Sequence, residues 1–139
     1  MSKAHELDPQ SLEDLLNQSP YARLIGMGLQ VDKGELRFHL PFQAHNIGNT
    51  ILPALHGGVI GGFMEMAAIM HMLYIRESTS VPRTVDFSID YLRPGLSKEL
   101  WASCSVTKHG KQIANVQVSA WQESPDKPVA VARAHLILD

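Results

Sequence analysis

Residues 55–77 read LHGGVIGGFMEMAAIMHMLYIRE, and they set the architecture of the whole chain. From Gly57 to about Glu77 the side chains are apolar nearly all round, with Glu65 as the one acid before the end. A helix of this composition is typical of one that other elements enclose on every side. The sequence therefore predicts a single long, buried helix.

A membrane span is the alternative interpretation of the same region. A spanning helix needs roughly 20 consecutive apolar residues. Between Ile51 and Ile75 the run is interrupted by Pro53 and four glycines, and Glu65 lies near its centre. We therefore predict a buried helix in a soluble protein, with no membrane partner.

Both flanks of this helix alternate apolar and polar residues with period two, as half-buried strands do. Before the helix the alternation covers Leu36 to Phe42; after it come four runs, 85–91, 100–106, 114–120 and 130–138. An antiparallel sheet with one apolar face must cover that face, and the long helix is the available cover. The predicted fold class is α+β, a hotdog fold in which an antiparallel sheet wraps around one central helix.

The amino-terminal region predicts a short helix. Asp8 is a suitable N-cap, Pro9 fits the first helical position, and Ser19-Pro20 is expected to end the helix. We therefore expect one domain over residues 1–139, with a helical segment over residues 1–20. The segment from Gln43 to about Leu55 is expected to be a loop.

Composition argues against several classes of function and location. The 139 residues carry a formal charge of −2, which offers no basic footprint for nucleic acid. A single cysteine, Cys104, gives no reason to expect an oxidising compartment. The first 18 residues lack the apolar run of roughly 7–15 residues that a secretory signal has behind a basic start, so a cytoplasmic location is expected.

Gly57 and Gly58 open the predicted helix, where backbone N–H groups lack intrahelical partners and carry partial positive charge. Without side chains, these residues let a ligand oxygen approach the amides closely. A carbonyl that becomes an oxyanion suits such a place. The alternative is a glycine-rich helix entry that serves tight packing only.

Glu65 is the second unusual residue, because its neighbours Met64, Met66 and Ala67 are apolar. A carboxylate in such surroundings is costly unless it is paired or has a chemical task. It is either a general base or an acid paired with Arg, Lys or backbone amides. His56, just before the two glycines, is either structural or orients the loop or a substrate carbonyl.

The sequence resembles a family at these positions. His56-Gly57-Gly58, the acid nine residues after the histidine, and residues 84–87 (Thr-Val-Asp-Phe) are similar to the PaaI-type acyl-CoA thioesterases of the hotdog superfamily, over roughly Phe38 to Leu138. The resemblance implies hydrolysis of an acyl-CoA to a free acid and CoA. It implies that the Gly57 amide binds the thioester carbonyl, that Glu65 is the base or nucleophile, and that Thr84 helps to hold the attacking water.

The resemblance also implies a substrate-binding set. These residues are Gly58, Val85, Asn46 and Asn49, the last two because the family often has Asn six residues before the histidine, where this chain has Thr50. On a regular strand Thr84 would lie off the face that carries Phe87, so its role requires a bulge or a strand end. His56 completes the expected catalytic set with Glu65, Gly57 and Thr84.

Other function classes have less support. No motif of metal-ligand spacing or nucleotide-binding loop is present, so we expect no metal and no cofactor besides the CoA of the substrate. A hotdog dehydratase and a non-catalytic acyl-CoA-binding module are the alternatives. The expected assembly is a homodimer or a dimer of dimers, with acid and amide supplied by different subunits. Candidates for the phosphates of CoA, or else plain solvated cations, are Arg83, Arg93, Lys98, Lys108 and Lys111.

Overall fold

The computed structural model of the chain describes residues 8–49 and 54–138, except for the side chain of Asn49. Within these residues the helices are α1 (Pro9–Leu16), α2 (Pro20–Ile25) and α3 (Gly57–Arg76), and a 3-10 turn covers Ala44–Asn46. The strands are β1 (Gly28–Asp32), β2 (Glu35–Leu40), β3 (Ile47–Asn49), β4 (Ala54–Leu55), β5 (Arg83–Tyr91), β6 (Leu100–His109), β7 (Ile113–Trp121) and β8 (Pro128–Ile137).

Six of the strands form one antiparallel sheet in the order β1-β2-β6-β7-β8-β5. The helix α3 packs against the inner face of this sheet, mainly over β6, β7 and β8. The predicted hotdog architecture is therefore confirmed, as are the long helix and the strands after it. A small second sheet pairs β3 with β4. The expectation of a plain loop from Gln43 to about Leu55 was therefore wrong, because the described part of this segment holds a 3-10 turn and two short strands.

The inner face of the sheet is built largely from small side chains. On the neighbouring strands β6, β7 and β8, Ala102 pairs with Ala120 and Ala120 pairs with Ala130, and all three are fully buried. Alanine at these positions lets the backbone of the sheet come close to α3, so the larger side chains Phe63, Met64 and Leu73 of the helix fill the remaining space.

One chain covers only part of α3. The helix is long and apolar enough to pass for a membrane span, with a mean hydropathy of 1.5, a test that core helices also pass. Within the described chain 44% of its most apolar window is buried. The expectation that other elements enclose this helix on every side is therefore not met by a single chain, since the sheet wraps one side only.

The amino-terminal region holds one helix more than expected. The Asp8 carboxylate accepts from the Ser11 N–H, which confirms the predicted start of α1. Ser19-Pro20, expected only to end that helix, also begins α2: the Ser19 hydroxyl accepts from the Ala22 N–H and proline occupies the first turn. The two helices thus start with the same combination of cap and proline.

Candidate active site

The amino end of α3 is capped by His56. Its Nδ1 accepts a hydrogen bond from the Gly58 N–H at 2.9 Å, so a neutral ring carries its proton on Nε2. A Cβ on residue 58 would lie 2.9 Å from the Cε1 of His56. Gly58 is therefore needed because the imidazole occupies the space that any side chain would fill.

The peptide unit between Gly57 and Gly58 is held at both ends. The Tyr91 hydroxyl donates to the Gly57 carbonyl at 2.6 Å, while the N–H of the same unit, from Gly58, donates to His56. The carbonyl of His56 itself accepts from Val59 and Ile60 within the first helical turn. The Gly57 N–H, which lies between these two fixed carbonyls, is therefore held in one orientation at the helix start.

A second tyrosine lies against the same turn. The Tyr21 hydroxyl, from α2, is 3.4 Å from the Gly58 carbonyl oxygen. A Cβ on residue 62 would lie only 2.5 Å from that hydroxyl, so Gly62 makes room for the Tyr21 ring. The sequence analysis missed both tyrosines; the one signal for Tyr91 was its place at the end of the alternating β5 pattern.

The carboxylate of Glu65 has a hydroxyl partner. Thr84 Oγ1 donates to Glu65 Oε2 at 3.2 Å, and both residues are half-buried between β5 and α3. No other polar partner of Glu65 is seen within the described residues. This carboxylate is thus oriented by a neutral donor and is not paired with Arg or Lys, the structural alternative considered for it.

The bulge that Thr84 requires is present in β5. Thr84 pairs with Leu136 and Asp86 pairs with His135, so Val85 is the extra residue. Thr84 then faces inward toward α3, whereas the Val85 side chain is 63% exposed. The bulge thus turns the Thr84 side chain toward α3. Bulges beside functional sites often change the direction of one side chain in this way.

The two halves of the expected site lie apart within one chain. Gly57 and Glu65 are eight residues apart on α3, or about 12 Å along the helix axis. A cavity of about 340 Å³ at the helix start is lined by Gly57, Ile60 and Tyr91, together with the turn at Pro94. Glu65 does not line this cavity. Within one chain, Glu65 contacts Thr84 and Gly57 contacts Tyr91, but no hydrogen bond among the described residues joins these two pairs.

The two asparagines expected to bind substrate, Asn46 and Asn49, lie in different elements. Asn46 is buried, its amide donates to the Ile25 carbonyl, and its own carbonyl accepts from the His56 N–H. Asn46 therefore ties the loop before α3 to the end of α2. Asn49 ends β3 with its side chain outside what the structure describes, and Thr50 lies outside the described residues.

Two buried titratable groups lie outside this region, Cys104 and His71. Burial raises the pKa of the Cys104 thiol far above its usual range, so it remains protonated. Burial also lowers the pKa of His71, whose Nδ1 is buried without a partner. Within residues 8–49 and 54–138, no group of three or more His, Cys, Asp or Glu is placed to hold a metal ion.

Comparison with known proteins points to one family. The model of the thioesterase superfamily matches residues 52–129, which is more than half of the chain. Over 118 residues the chain is 28% identical to the medium/long-chain acyl-CoA thioesterase YigI of Escherichia coli, and the match covers 75% of this chain and 76% of that protein.

Two solved structures share the fold of this chain. A protein from Chromobacterium violaceum is 49% identical, with a TM-score of 0.76, and the match covers 94% of this chain and 90% of that one. The BH2602 protein from Bacillus halodurans, solved with CoA, is 20% identical, with a TM-score of 0.74 over 100% of this chain and 97% of that one. The second likeness concerns the fold alone.

Proposed function

Because this chain belongs to the thioesterase superfamily and is a thioesterase, we propose that its substrates are acyl-CoAs, which it hydrolyses to a free acid and CoA. The observation that carries this proposal is the Thr84–Glu65 hydrogen bond, which a β-bulge brings about beside an apolar helix. The name of the Escherichia coli relative, an acyl-CoA thioesterase, supports CoA as the leaving group.

The Gly57 N–H is the donor that we assign to the thioester carbonyl. The neighbouring Gly58 N–H is already used by the imidazole of His56, so it is not free for a ligand. As water adds to the carbonyl carbon, negative charge develops on its oxygen, and a fixed N–H at the positive end of a helix stabilises that charge. His56 and Tyr91 contribute by holding the next peptide unit.

Glu65 is the base that we assign to the attacking water. Its Oε2 accepts from Thr84, which leaves Oε1 to take a proton as the water oxygen bonds to the carbonyl carbon. When the tetrahedral intermediate collapses, the carbon–sulfur bond breaks and the proton on Glu65 passes to the departing CoA sulfur. In direct attack, the second candidate, the Glu65 carboxylate bonds to the carbonyl carbon and expels CoA as its thiolate, which leaves a mixed anhydride. Water that attacks the Glu65 carbonyl carbon of this anhydride leaves 18O in the Glu65 side chain after a single turnover in labelled water, whereas attack at the acyl carbon places the 18O in the product acid.

We further assign a homodimer in which each site draws on both chains. About 12 Å along the helix axis separates the backbones of Gly57 and Glu65 in one chain. A second α3 running antiparallel would bring its own Glu65 toward Gly57. The partly covered α3 and the free edge of β5 are the surfaces available for this contact.

The decisive test is an acyl-CoA panel of short, medium, long and aromatic acyl groups, assayed by release of free thiol. We expect turnover of at least one class by the parent chain, and loss of that turnover in Glu65→Gln. A folded parent chain that hydrolyses simple thioesters but no acyl-CoA would contradict the assigned substrate while leaving the family in place.

A further inference from the structure

Two cavities adjoin near the start of α3. The one beside Gly57 shares Arg93 and Pro94 with a second cavity of about 300 Å³, which continues past Leu96 toward Lys127. The two cavities therefore lie side by side, one at the amide assigned to the thioester carbonyl and the other, the outer cavity, toward Lys127. A long substrate with a reactive thioester at one end can extend from the first cavity to the second.

The outer cavity is rich in positive charge, although the chain as a whole has a formal charge of −2. Arg93, Lys98 and Lys127 line it, against one carboxylate, Glu123. Lys98 Nζ lies 2.8 Å from Glu123 Oε1. The hydrogen bond from Lys98, with the charges of Lys98 and Lys127, lowers the pKa of the Glu123 carboxyl. The three cations therefore lie near one another, and a single carboxylate does not neutralise them.

The walls of the outer cavity are held by backbone contacts. Gln122 accepts from the Leu96 N–H and donates to the carbonyls of Leu96 and Lys98, which pins this turn to β7. Arg93 donates through one of its five guanidinium N–H groups to the Pro128 carbonyl at 2.7 Å. Groups that are already ordered lose little freedom when a ligand binds.

An apolar strip completes the outer cavity. Pro94, Leu96 and Val129 line it between the cations, and Leu96 is 47% exposed. A ligand that suits this surface has a flat or apolar part beside several negative charges. The nucleotide end of CoA has both features, since it carries an adenine, a 3′-phosphate and a 5′-diphosphate.

We propose that Arg93, Lys98 and Lys127 bind the phosphates of the CoA nucleotide, with the adenosine lying along Pro94 and Leu96. This inference rests on the proposed function, because it takes acyl-CoA as the substrate. It selects Arg93 and Lys98 from the surface cations considered in the sequence and adds Lys127, which only the fold brings beside them. Arg83, Lys108 and Lys111 are not in the wall of either cavity.

The test compares two substrates with one acyl group, the acyl-CoA and the S-acyl-pantetheine that lacks the nucleotide. In the double variant Lys98→Glu/Lys127→Glu we expect KM for acyl-CoA to rise about tenfold or more, from the loss and reversal of two exposed charge contacts. The kcat for both substrates and KM for the pantetheine thioester should not change. Glu123→Gln should lower KM for acyl-CoA.

A control of equal charge is Lys108→Glu/Lys111→Glu, at the turn between β6 and β7. We expect it to leave KM for acyl-CoA within twofold of the parent. The inference is overturned if the control raises KM as much as the test variant, if both substrates are affected equally, or if KM for acyl-CoA does not move.

Binding of adenosine 3′,5′-bisphosphate separates this inference from the proposed function. If the parent chain hydrolyses no acyl-CoA, the proposed function fails, yet calorimetric titration of the full chain with this nucleotide still decides the inference. Binding that weakens about tenfold in Lys98→Glu/Lys127→Glu supports the nucleotide site; no binding by the parent overturns it.

Discussion

Gly57 and Gly58 are adjacent and chemically identical, yet the structure gives them different neighbours. The Gly58 N–H is bonded to His56 and its α-carbon is crowded by that ring. At residue 57 a Cβ would meet the Tyr91 hydroxyl at an ordinary 3.5 Å, so space does not explain the glycine there. What distinguishes Gly57 is its N–H at the open end of α3, between two carbonyls that are already fixed.

Among single side chains, we expect substitution of the Glu65 carboxylate to lower kcat the most. In Glu65→Gln the side chain keeps its shape and can still accept from Thr84, but it can no longer take a proton from water. We expect kcat for acyl-CoA to fall by about 10²-fold or more, the scale of losing a general base. The kcat of Glu65→Asp should fall less, because this variant keeps a carboxylate, although the shorter side chain places it one methylene further back.

The matched control is Glu35→Gln on the exposed surface of β2, which should hydrolyse acyl-CoA at the parent rate. Thermal melts of all three variants establish that they fold. If folded Glu65→Gln equals the parent on every substrate, Glu65 is not the base.

Tyr91 should act as a positioning residue. Tyr91→Phe removes the 2.6 Å hydrogen bond to the Gly57 carbonyl and keeps the ring. A neutral hydrogen bond contributes roughly 1 kcal/mol, so we expect kcat to fall about fivefold with little change in KM. Tyr21→Phe is the matched control, since its hydroxyl is 3.4 Å from Gly58 O and should matter less. Equal kcat values for parent, Tyr91→Phe and Tyr21→Phe would show that this bond does not orient the amide.

The helix α3 allows its first amide to be removed without removing the helix. Proline is favoured at the first helical position, and His56 already has the extended backbone, φ −63° and ψ 129°, that a residue before proline adopts. Gly57→Pro should therefore fold with nearly the parent melting temperature. It lacks the N–H assigned to the oxyanion, so we expect kcat to fall by about 10²-fold to 10³-fold.

Gly57→Ala is the companion variant, because it adds a Cβ at a similar place and keeps the N–H. We expect it to retain most of the parent kcat. If Gly57→Pro and Gly57→Ala are equally active, the carbonyl is bound elsewhere.

Periodicity predicted the elements that have strong local patterns. The positions of α3 and the four later strands were predicted because each has a run of residues with one clear period, although the ends of the strands differ from the expected ones by up to three residues. The helix α2 was missed because Ser19-Pro20 was interpreted only as an end signal, although cap and proline also begin helices. The sequence showed only that the role of Thr84 would require a bulge or a strand end. It did not place the bulge at Val85, because the neighbouring residues have the pattern of a regular strand.

The residues alone predicted the parts of the site that are close in sequence; Thr84, which the topology brings to Glu65, was expected only from the family resemblance. His56, Gly57, Gly58 and Glu65 lie within ten residues. Tyr91 and Tyr21 reach the same helical turn from 34 and 37 residues away, and no pattern in the chain encodes those contacts. Likewise, Lys127 joins Arg93 only because the turn after β7 returns beside the end of β5.

At the scale of the whole molecule, two adjoining surfaces of the described residues suit contact with a second copy. One is the side of α3 that faces away from the sheet, and the other is β5, which occupies a sheet edge and carries the exposed Val85 and Tyr91. An exposed edge strand beside an apolar helix face favours pairing with an identical chain. Two antiparallel copies of α3 across this contact would complete both sites at once.

Complementation between two inactive chains tests this arrangement. Glu65→Gln retains the Gly57 N–H, and Gly57→Pro retains the carboxylate, so each homodimer should be nearly inactive. After the two are mixed and allowed to exchange subunits, half of the dimers at equal concentrations are mixed, and each mixed dimer has one site with both groups intact. We expect recovery of about one quarter of the parent activity, because half of the dimers would carry one working site of two. A site contained in one chain gives no recovery, since neither variant holds both groups. Light scattering of the parent chain is the independent measurement: a fully active monomer would contradict the shared site without any mixing.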